Sequence, residues 1–432
     1  MAKKQINKTS LTDAEVIQME SESGANHYGR IDFVVRKAEG VWLYDNQGKK
    51  YLDCLAAYSA ANQGHHHSKI VAAVTDALKF GYGSVISNVV YTEALACFLK
   101  KVANLAPQLA PRFGNRGNKV LPKNGGVESV ETAVKLVSDF GVLHKGIADH
   151  EQKLIVFRNN FHGRTKSVVA FSSTKKYRDG FGLGIDPGAY IFADYGNWKS
   201  VEKILQSEDG PYVCGILVEP MQGEGGMNIP PAGFLQGLRN LADQYGLLLV
   251  FDEIQVGLGR TGKMFCFEHE NVIPDVLILG KAISGGLIPL SVCITNSYLM
   301  DETFFPGRDG STYGGYPLAC IAGLAALDVI EKEKLVENSE RMGKLLKEKI
   351  ENFIQESKPA QSRVKEIRGR GLFIGIEMRD GDAMMYCREL TKEGLLVNDS
   401  HGHTIRISPP LVITEKDVDY IVEKLQKVLC RR

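Results

Sequence analysis

Three short apolar runs, each ending at a polar or charged residue, constrain the fold of this chain more than any other feature. The runs and the residues that follow them are 213–218 with Glu219, 247–251 with Asp252, and 276–280 with Lys281. Runs rich in Leu, Ile and Val are typical of strands buried on both faces of a parallel sheet. Because ligands bind beyond the carboxyl ends of such strands, the sequence predicts a binding site where these polar residues lie.

Strand-like runs alternate with helical patterns from about residue 70 to 330, and two further runs cover 154–157 and 290–294. This alternation predicts an α/β fold, with a mostly parallel sheet that carries helices on both faces. The last hundred residues combine a charged helix, short strands and a final helix from Thr414, which predicts a smaller α+β domain. A turn cluster, Asp-Asn-Gln-Gly, predicts a hairpin over 40–53.

Composition excludes several classes of protein. The chain has 432 residues, 44% hydrophobic and 24% charged, which is ordinary for a globular protein. A net charge of +1 gives no electrostatic reason to bind nucleic acid or an anionic membrane. We find no apolar run long enough to cross a bilayer, no secretory signal and no arginine-rich transit peptide. The eight cysteines form no CxxC pair, so we expect a reducing, cytoplasmic environment.

Lys281 and Asp252 each follow a strand-like run, and their spacing along the chain fits one strand–helix–strand unit. This pair suits pyridoxal 5'-phosphate, which needs an amine to form a Schiff base and a carboxylate to hold the proton of its pyridine nitrogen. Burial near other cations lowers the pKa of a lysine enough to supply a neutral amine. Either residue alone could simply cap a strand at the surface. Together, followed by Ala-Ile-Ser-Gly-Gly and Glu-Ile-Gln, they favour the cofactor.

A glycine-rich turn opens a helix at Asn124-Gly125-Gly126-Val127. Backbone N–H groups at the positive end of a helix dipole stabilise a phosphate there, although many helices begin with similar residues.

Phe161 and Arg164 follow the next predicted strand. The aromatic ring could stack on a cofactor and the guanidinium could bind a carboxylate. The alternative is a packed loop aromatic and a solvated arginine.

Arg406 lies within a short apolar strand, so it needs an anionic partner, which could be an ion pair or a substrate carboxylate. Glu224, on a glycine-rich loop after a strand, could supply that anion. The triple histidine 65–67 has no carboxylate or cysteine near it in sequence, and we predict no metal site.

Several of these motifs resemble the class III aminotransferases of fold type I, from about residue 25 to the C-terminus. The segments that carry the resemblance are 252–262, 274–286 and 311–315. Within the family the likeness is closest to the ornithine aminotransferases, in the segments 58–65, 161–165, 219–224 and 406–413. The resemblance implies a large domain with a mostly parallel seven-stranded sheet. It also implies a smaller α+β domain built from both ends of the chain.

The resemblance implies three segments: 1–58 as part of the small domain and a dimer arm, 59–334 as the domain that binds pyridoxal 5'-phosphate, and 335–432 as the C-terminal domain. It also implies a homodimer with shared active sites.

The resemblance assigns roles to the cofactor residues. Lys281 would bond to the cofactor and shuttle the proton, Asp252 would pair with the pyridine nitrogen, and Gln255 would face the phenolic oxygen. The other predicted contacts to the cofactor are Phe161 and Val127 near the ring, the amides of Gly125, Gly126 and Val127 at the phosphate, and Thr312 from the partner subunit.

For the substrates, the resemblance implies transfer of the δ-amino group of ornithine to 2-oxoglutarate. Tyr28 and Arg164 would hold the α-carboxylate of ornithine, and Tyr58 would shape the pocket beside Tyr28. Glu224 would neutralise Arg406 until 2-oxoglutarate arrives, when Arg406 would take its α-carboxylate and Arg164 its distal one. This exchange lets one site accept first a cationic side chain and then a dianion.

The chain departs from the family pattern in four places, and several rival functions share its motifs. Gly-Arg-Ile-Asp follows Tyr28 instead of His-Pro-Leu-Pro, the segment 84–92 lacks the usual aromatic residues, Gly125 replaces a hydroxyl residue, and Tyr316 replaces an asparagine. The first two lie near the substrate, and the last two near the phosphate. The rivals are an aminotransferase for lysine, acetylornithine or 4-aminobutyrate, a racemase or aminomutase, and a non-catalytic scaffold.

Overall fold

The computed structural model describes residues 11–31, 33–184, 186 and 188–431. The strands are β1 Lys37–Glu39, β2 Trp42–Tyr44, β3 Lys50–Asp53, β4 Asn118–Lys123, β5 Lys153–Phe157, β6 Tyr190–Ala193, β7 Val213–Val218, β8 Leu248–Asp252, β9 Val276–Leu279, β10 Ser291–Asn296, β11 Val364–Arg370, β12 Phe373–Met378, β13 Leu395–Leu396, β14 Asn398–Ser400 and β15 Thr404–Ile407. The helices are α1 Asp13–Ser23, α2 Ala56–Ser59, α3 Ser68–Phe80, α4 Glu93–Leu105, α5 Gly126–Lys145, α6 Lys166–Val169, α7 Lys175–Arg178, α8 Trp198–Leu205, α9 Phe234–Tyr245, α10 Ser297–Thr303, α11 Pro317–Lys332, α12 Leu335–Glu356, α13 Lys358–Arg363, α14 Ala383–Lys392 and α15 Glu415–Leu429.

A seven-stranded sheet in the order β4-β10-β9-β8-β7-β5-β6 organises the centre of the chain. Within this sheet, all pairs of adjacent strands from β9 to β6 are parallel, whereas β10 runs antiparallel to both β4 and β9. The predicted α/β class and the mostly parallel seven-stranded sheet are therefore confirmed. The apolar runs that suggested them form β7, β8 and β9, and every residue of these strands is buried.

Successive residues of β8 show why the run is apolar throughout. Leu248 and Val250 pack in the core on the side of the sheet covered by α5, while Leu249 and Phe251 pack in the core on the opposite side. Side chains alternate between the two faces of a strand, so a strand covered on both faces must be apolar at every position. Each such side chain contributes about 1.5–3 kcal/mol on burial.

Two four-stranded sheets lie outside the large one. One has the order β1-β2-β3-β13, in which the predicted hairpin of β2 and β3 pairs in parallel with β13, so Leu52 lies beside Leu395. The other has the order β11-β12-β15-β14 and carries Arg406. The first sheet thus joins the N-terminal part of the chain to its C-terminal part.

The segment boundaries at 58/59 and 334/335, which the resemblance implies, stay predictions. In the described parts of the chain, no helix combines the length and apolarity that a membrane crossing needs.

Candidate active site

A cavity of about 190 Å³ opens at the carboxyl ends of the parallel strands. Asp252 is the last residue of β8, Glu219 follows β7, and Lys281 comes two residues after β9. The lining residues are Gly126, Val127, Phe161, His162, Gly163, Glu219, Met221, Asp252, Ile254, Gln255, Val256 and Lys281. Six residues predicted from the sequence therefore meet in one cavity, at the edge of the sheet where the strand pattern placed the site.

Asp252 is held by two hydrogen bonds at this edge. His162 Nδ1 donates to its Oδ2 at 2.7 Å, and the amide of Ile254 donates to its Oδ1 at 3.0 Å. Burial alone would lower the pKa of His162, but the hydrogen bond and charge of Asp252 raise it above its ordinary value. The histidine thus fixes the orientation of the carboxylate. Sequence reasoning missed His162 as a site residue, although it directly follows one candidate, Phe161, and precedes another, Arg164, by two residues.

Glu219 is a second buried acid that the predicted site lacked. Burial raises its pKa from 4.5 to about 7, against the opposing effect of the nearby His162. Its two oxygens accept the amides of Phe161 at 3.1 Å and of Gly223 at 3.2 Å. Glu219 therefore ties the loop that carries Phe161 to the glycine-rich loop that carries Glu224. Its position at the end of an apolar run was the signal that could have identified it.

Lys281 begins a short 3₁₀ turn, Lys281–Ser284, with its backbone in the left-handed region at φ 49°. Burial lowers the pKa of its amine below the ordinary 10.5, and Arg406 adds to this effect while Asp252 and Glu224 oppose it. A lowered pKa increases the fraction of neutral amine, which is the form that attacks a carbonyl carbon.

The N-terminus of α5 lies at the other side of the cavity, where Gly126 and Val127 begin the helix. Their amides belong to the first turn, which has no partners within the helix and can bind an anion. The amide of Gly125 instead donates to Glu128 Oε2 at 2.5 Å. The predicted contact between the Gly125 amide and the phosphate stays a prediction, since in the structure this amide caps the helix and Gly125 does not line the cavity.

The cavity wall has no room for a side chain at Gly163. A Cβ there would lie 2.3 Å from the side chain of Val127, and the residue has φ +129°, which L-residues rarely adopt. The loop after Phe161 can therefore approach the start of α5 closely only because residue 163 is glycine.

Arg406 forms a polar cluster next to this cavity. Its guanidinium is fully buried, and Nη2 donates to Glu224 Oε1 at 2.8 Å and to Gln255 Oε1 at 3.4 Å. Among the described residues, Nε and Nη1 of this guanidinium have no hydrogen-bond partner. Burial would raise the pKa of Glu224, but the charge and hydrogen bond of Arg406 lower it below 4.5. The predicted pairing of Glu224 with Arg406 is thus present in the structure.

The loop of Glu224 is fixed by its backbone. Ser400 Oγ donates to the carbonyl oxygens of both Gly223 and Glu224 at 2.9 Å. A Cβ on Gly223 would lie 1.7 Å from Gln255 Oε1, so this position also excludes a side chain. Hydrogen bonds therefore hold the backbone at Glu224 in place, while its side chain stays 23% exposed.

Tyr58 contacts the Arg406 cluster from α2, which is a left-handed turn. Ala56, Ala57, Tyr58 and Ser59 have φ of 47°, 47°, 57° and 74°. A left-handed conformation costs roughly 1–2 kcal/mol for each non-glycine residue. The centre of the Tyr58 ring lies 5.1 Å from Arg406 Cζ, and Asn398 Nδ2 donates to the hydroxyl at 3.1 Å. Strain of this kind is typical of functional sites.

Besides Gly125, Tyr58, Glu224 and Arg406, three predicted residues lie outside the cavity. Arg164 is exposed, with its guanidinium 4.3 Å from the ring centre of Tyr177 and 5.6 Å from that of Phe161. Tyr28 is 56% exposed, near enough to Tyr58 to affect its pKa. Thr312 lines a separate cavity of about 1200 Å³ beside Asn88. Their predicted contacts to substrate and cofactor stay predictions.

The donor set fits pyridoxal 5'-phosphate. The cavity offers an amine of lowered pKa at Lys281, a carboxylate at Asp252 fixed by His162, and two amides at the start of α5. The glycine at 163 leaves space between the helix and Phe161 that a side chain would fill. Together with the mostly parallel sheet, this site defines a pyridoxal-phosphate enzyme of fold type I.

Comparison with known proteins agrees with this class. The family "Aminotransferase class-III" matches residues 23–429, and the chain belongs to that family. It is 42% identical over 414 residues to ornithine aminotransferase 1 of Staphylococcus aureus, which covers 96% of this chain and 98% of the relative.

Two solved structures are similar over nearly the whole chain. The ornithine aminotransferase of Toxoplasma gondii has a TM-score of 0.89 and 31% identity, covering 97% of this chain and 94% of that one. The acetylornithine aminotransferase of Elizabethkingia anophelis has a TM-score of 0.84 and 36% identity, covering 97% and 99%. The chain is therefore a pyridoxal-phosphate-dependent aminotransferase, as the sequence predicted.

Proposed function

We propose that this aminotransferase moves the δ-amino group of L-ornithine to 2-oxoglutarate. The products would be glutamate 5-semialdehyde, which cyclises to pyrroline-5-carboxylate, and glutamate. The observation that carries this proposal is the pair of Glu224 and Arg406 beside the cavity. The similarity to proteins named ornithine aminotransferase supports it.

The Glu224–Arg406 pair answers a requirement that the two substrates impose. The side chain of ornithine ends in a cationic ammonium group and carries no anion, so a free guanidinium beside it would be unfavourable. With Glu224 bound, Arg406 is neutralised at 2.8 Å. A keto acid instead brings a carboxylate, which can replace Glu224 and also use the unpartnered Nε and Nη1 of Arg406. Because Glu224 is partly exposed, its side chain can move out without unfolding the loop.

Tyr28, Tyr58 and Arg164 would select a donor with a free α-amino-carboxylate. Tyr58 already lies against Arg406, and Tyr28 lies near it. Arg164 stands beside Phe161, at the edge of the cavity, and its exposed guanidinium can take the α-carboxylate of ornithine or the distal carboxylate of 2-oxoglutarate. This arrangement would direct the δ-amine, rather than the α-amine, towards Lys281.

When bound, the cofactor supplies an aldehyde that accepts the amino group and a ring that stores the electron pair released from the substrate carbon. Lys281 Nζ would take the proton from that carbon and return it to the cofactor. Asp252 would hold a proton on the pyridine nitrogen, and His162 would hold the Asp252 carboxylate in place. Gln255 would donate to the phenolic oxygen, while the amides of Gly126 and Val127 would bind the phosphate.

Thr312 would reach the phosphate of a second subunit, so we also propose a homodimer with shared active sites. Thr312 is exposed and lies in a cavity apart from Lys281, which fits a contribution to a partner's site. The cytoplasmic location stays a prediction from the sequence.

The test follows the two half-reactions separately in the purified holoenzyme. Ornithine alone should bleach the visible absorbance of the bound cofactor, and 2-oxoglutarate should then restore it. A panel of ornithine, lysine, N-acetylornithine and 4-aminobutyrate compares kcat/KM among donors. An enzyme that uses lysine as well as ornithine would overturn the donor assignment. A racemase or aminomutase would convert its amino acid without any keto acid.

The similarity to an acetylornithine aminotransferase supports one second candidate, transfer from N-acetylornithine. The two donors differ at the α-nitrogen, which is a cation in ornithine and a neutral amide in its acetylated form. The donor panel separates them directly.

A further inference from the structure

The left-handed turn that carries Tyr58 is anchored by a pair of residues outside the cavity, Asp53 and His65. Asp53 ends β3 and is buried. Its Oδ1 accepts the amides of Leu55 at 2.9 Å and Ala56 at 3.0 Å, which are the residues that lead into the turn. One carboxylate oxygen therefore fixes the start of a backbone conformation that the residues themselves disfavour.

His65 holds the other oxygen of this carboxylate. Its Nε2 donates to Asp53 Oδ2 at 2.7 Å, and the imidazole is only 19% exposed. Its backbone is also fixed, because His65 exchanges two hydrogen bonds with Gly40 at 2.7 and 2.9 Å. These two bonds hold the backbone of His65 in place, and its imidazole keeps the Asp53 side chain from rotating away from the turn.

The same turn is tied to the strand that carries Arg406. Ser408, two residues after Arg406, donates its amide to the carbonyl oxygen of Cys54 at 2.7 Å. The Tyr58 ring faces the Arg406 guanidinium at 5.1 Å, a distance at which a cation and an aromatic ring attract each other. A change in the turn would therefore alter the contact between Tyr58 and Arg406. Lys281 and Asp252 belong to other segments and would keep their positions.

We propose that Asp53 and His65 are positioning residues that hold Tyr58 against Arg406 and thereby set the affinity for the keto-acid acceptor. The inference rests on the proposed function in one respect, namely that Arg406 binds the acceptor's carboxylate. Without the pair, the turn relaxes, the Tyr58 ring leaves the guanidinium, and the acceptor loses one wall of its pocket. The cofactor end of the cavity keeps its contacts.

The experiment compares His65→Leu with His65→Gln in the holoenzyme. Leucine removes the hydrogen bond to Asp53, whereas the glutamine amide can still donate one. H65L should raise KM for 2-oxoglutarate about five- to tenfold, the size of the typical net contribution of one hydrogen bond, and should leave kcat and KM for ornithine within about twofold. H65Q should restore most of the acceptor affinity.

His67→Leu is the matched control. His67 lies two residues away and bonds to Glu333 at 3.2 Å instead of to the turn. H67L should therefore leave the acceptor KM unchanged. A second comparison adds Ala57→Gly to H65L, because glycine adopts the left-handed conformation without strain and should recover part of the acceptor affinity.

Two results would overturn the inference: H65L with the kinetics of the wild-type enzyme, or H65L with equal increases in both KM values. If H65L gives no folded holoenzyme, His65→Asn, which is polar but too short to reach Asp53, repeats the test. Failure of both to fold would show a role in folding and refute a positioning role. The proposed function fails separately, when the wild-type enzyme itself does not use 2-oxoglutarate.

Discussion

The proposed active site has two ends, the cavity that would hold the cofactor and the Arg406 cluster beside it that would bind the substrates, and the two are built differently. At the cofactor end, Asp252 and Lys281 sit at the ends of adjacent buried strands, and His162 fixes the carboxylate. At the substrate end, Arg406, Glu224 and Tyr58 come from three segments far apart in the chain, and one of them is a strained turn. A rigid sheet suits chemistry that is the same for every amino donor, whereas a movable ion pair suits discrimination between substrates.

The largest effect should come from removing the amine at the cofactor end. Lys281→Ala should lower turnover by on the order of 10⁴ or more, because the variant loses both the covalent attachment point and the group that moves the proton. The visible absorbance of the bound cofactor should also disappear. Borohydride reduction of the wild-type enzyme, followed by peptide mapping, should place the cofactor adduct on Lys281. An adduct on another lysine would contradict the whole account of this end.

The second-largest effect should come from changing Asp252, the carboxylate at the cofactor end. Asp252→Asn should reduce kcat on the order of 10³-fold, since the variant can no longer hold the proton on the pyridine nitrogen. KM for both substrates should change little, because Asp252 lies away from the Arg406 cluster. A loss of less than tenfold, or a loss confined to one half-reaction, would break the distinction between the two ends. Rapid mixing with each substrate alone measures the half-reactions.

At the substrate end the effects should be smaller and unequal. Arg406→Ala should slow the 2-oxoglutarate half-reaction about 10²- to 10³-fold and the ornithine half-reaction tenfold or less, because only the keto acid's carboxylate needs the guanidinium. Glu224→Gln is the mirror-image variant. It should favour the keto acid and impair ornithine, because Arg406 then lacks its neutralising partner. Equal losses in both half-reactions would contradict the exchange of partners at Arg406.

The smallest effect concerns stability and involves Glu219, which connects the two ends. Its pKa is raised from 4.5 to about 7 in the folded protein, so the folded state holds this proton more tightly than the unfolded state. The resulting stability is present in full below about pH 4.5 and is lost as the pH rises to 7, by up to about 3 kcal/mol. Glu219→Gln should flatten the dependence of the melting temperature on pH between 5 and 8. An unchanged slope would show that Glu219 titrates normally.

The fold was predictable because hydrophobic periodicity reports directly on burial. The runs that became β7, β8 and β9 are apolar at every position because both faces of these strands are covered. β11, Val364–Arg370, escaped prediction since it is rich in charged residues and lies partly in solvent. The antiparallel direction of β10 also escaped, because strand direction depends on the path of the chain and leaves no mark on side-chain pattern.

The site was predictable in part. Asp252 and Lys281 follow from their positions after buried strands, and an arginine in an apolar strand suggested the pairing of Arg406 with Glu224. The exchange of that partner between the two substrates came only from the resemblance to a family. No spacing rule brings a glycine loop beside a strand 182 residues later in the chain. His162 and Asp53 were missed because they act on other residues rather than on a ligand, and a single sequence gives no sign of such indirect contacts. A single sequence also does not show that Glu128 accepts a hydrogen bond from the amide of Gly125.

The contact between Gly163 and Val127 has a consequence for engineering the enzyme. Any residue larger than glycine at 163 would collide with the valine, whose nearest carbon would be 2.3 Å away. Shortening Val127 would remove that collision but not the strain of a side chain at φ +129°, so position 163 stays restricted to glycine. Directed evolution could therefore reshape this part of the wall through position 127 and not through 163.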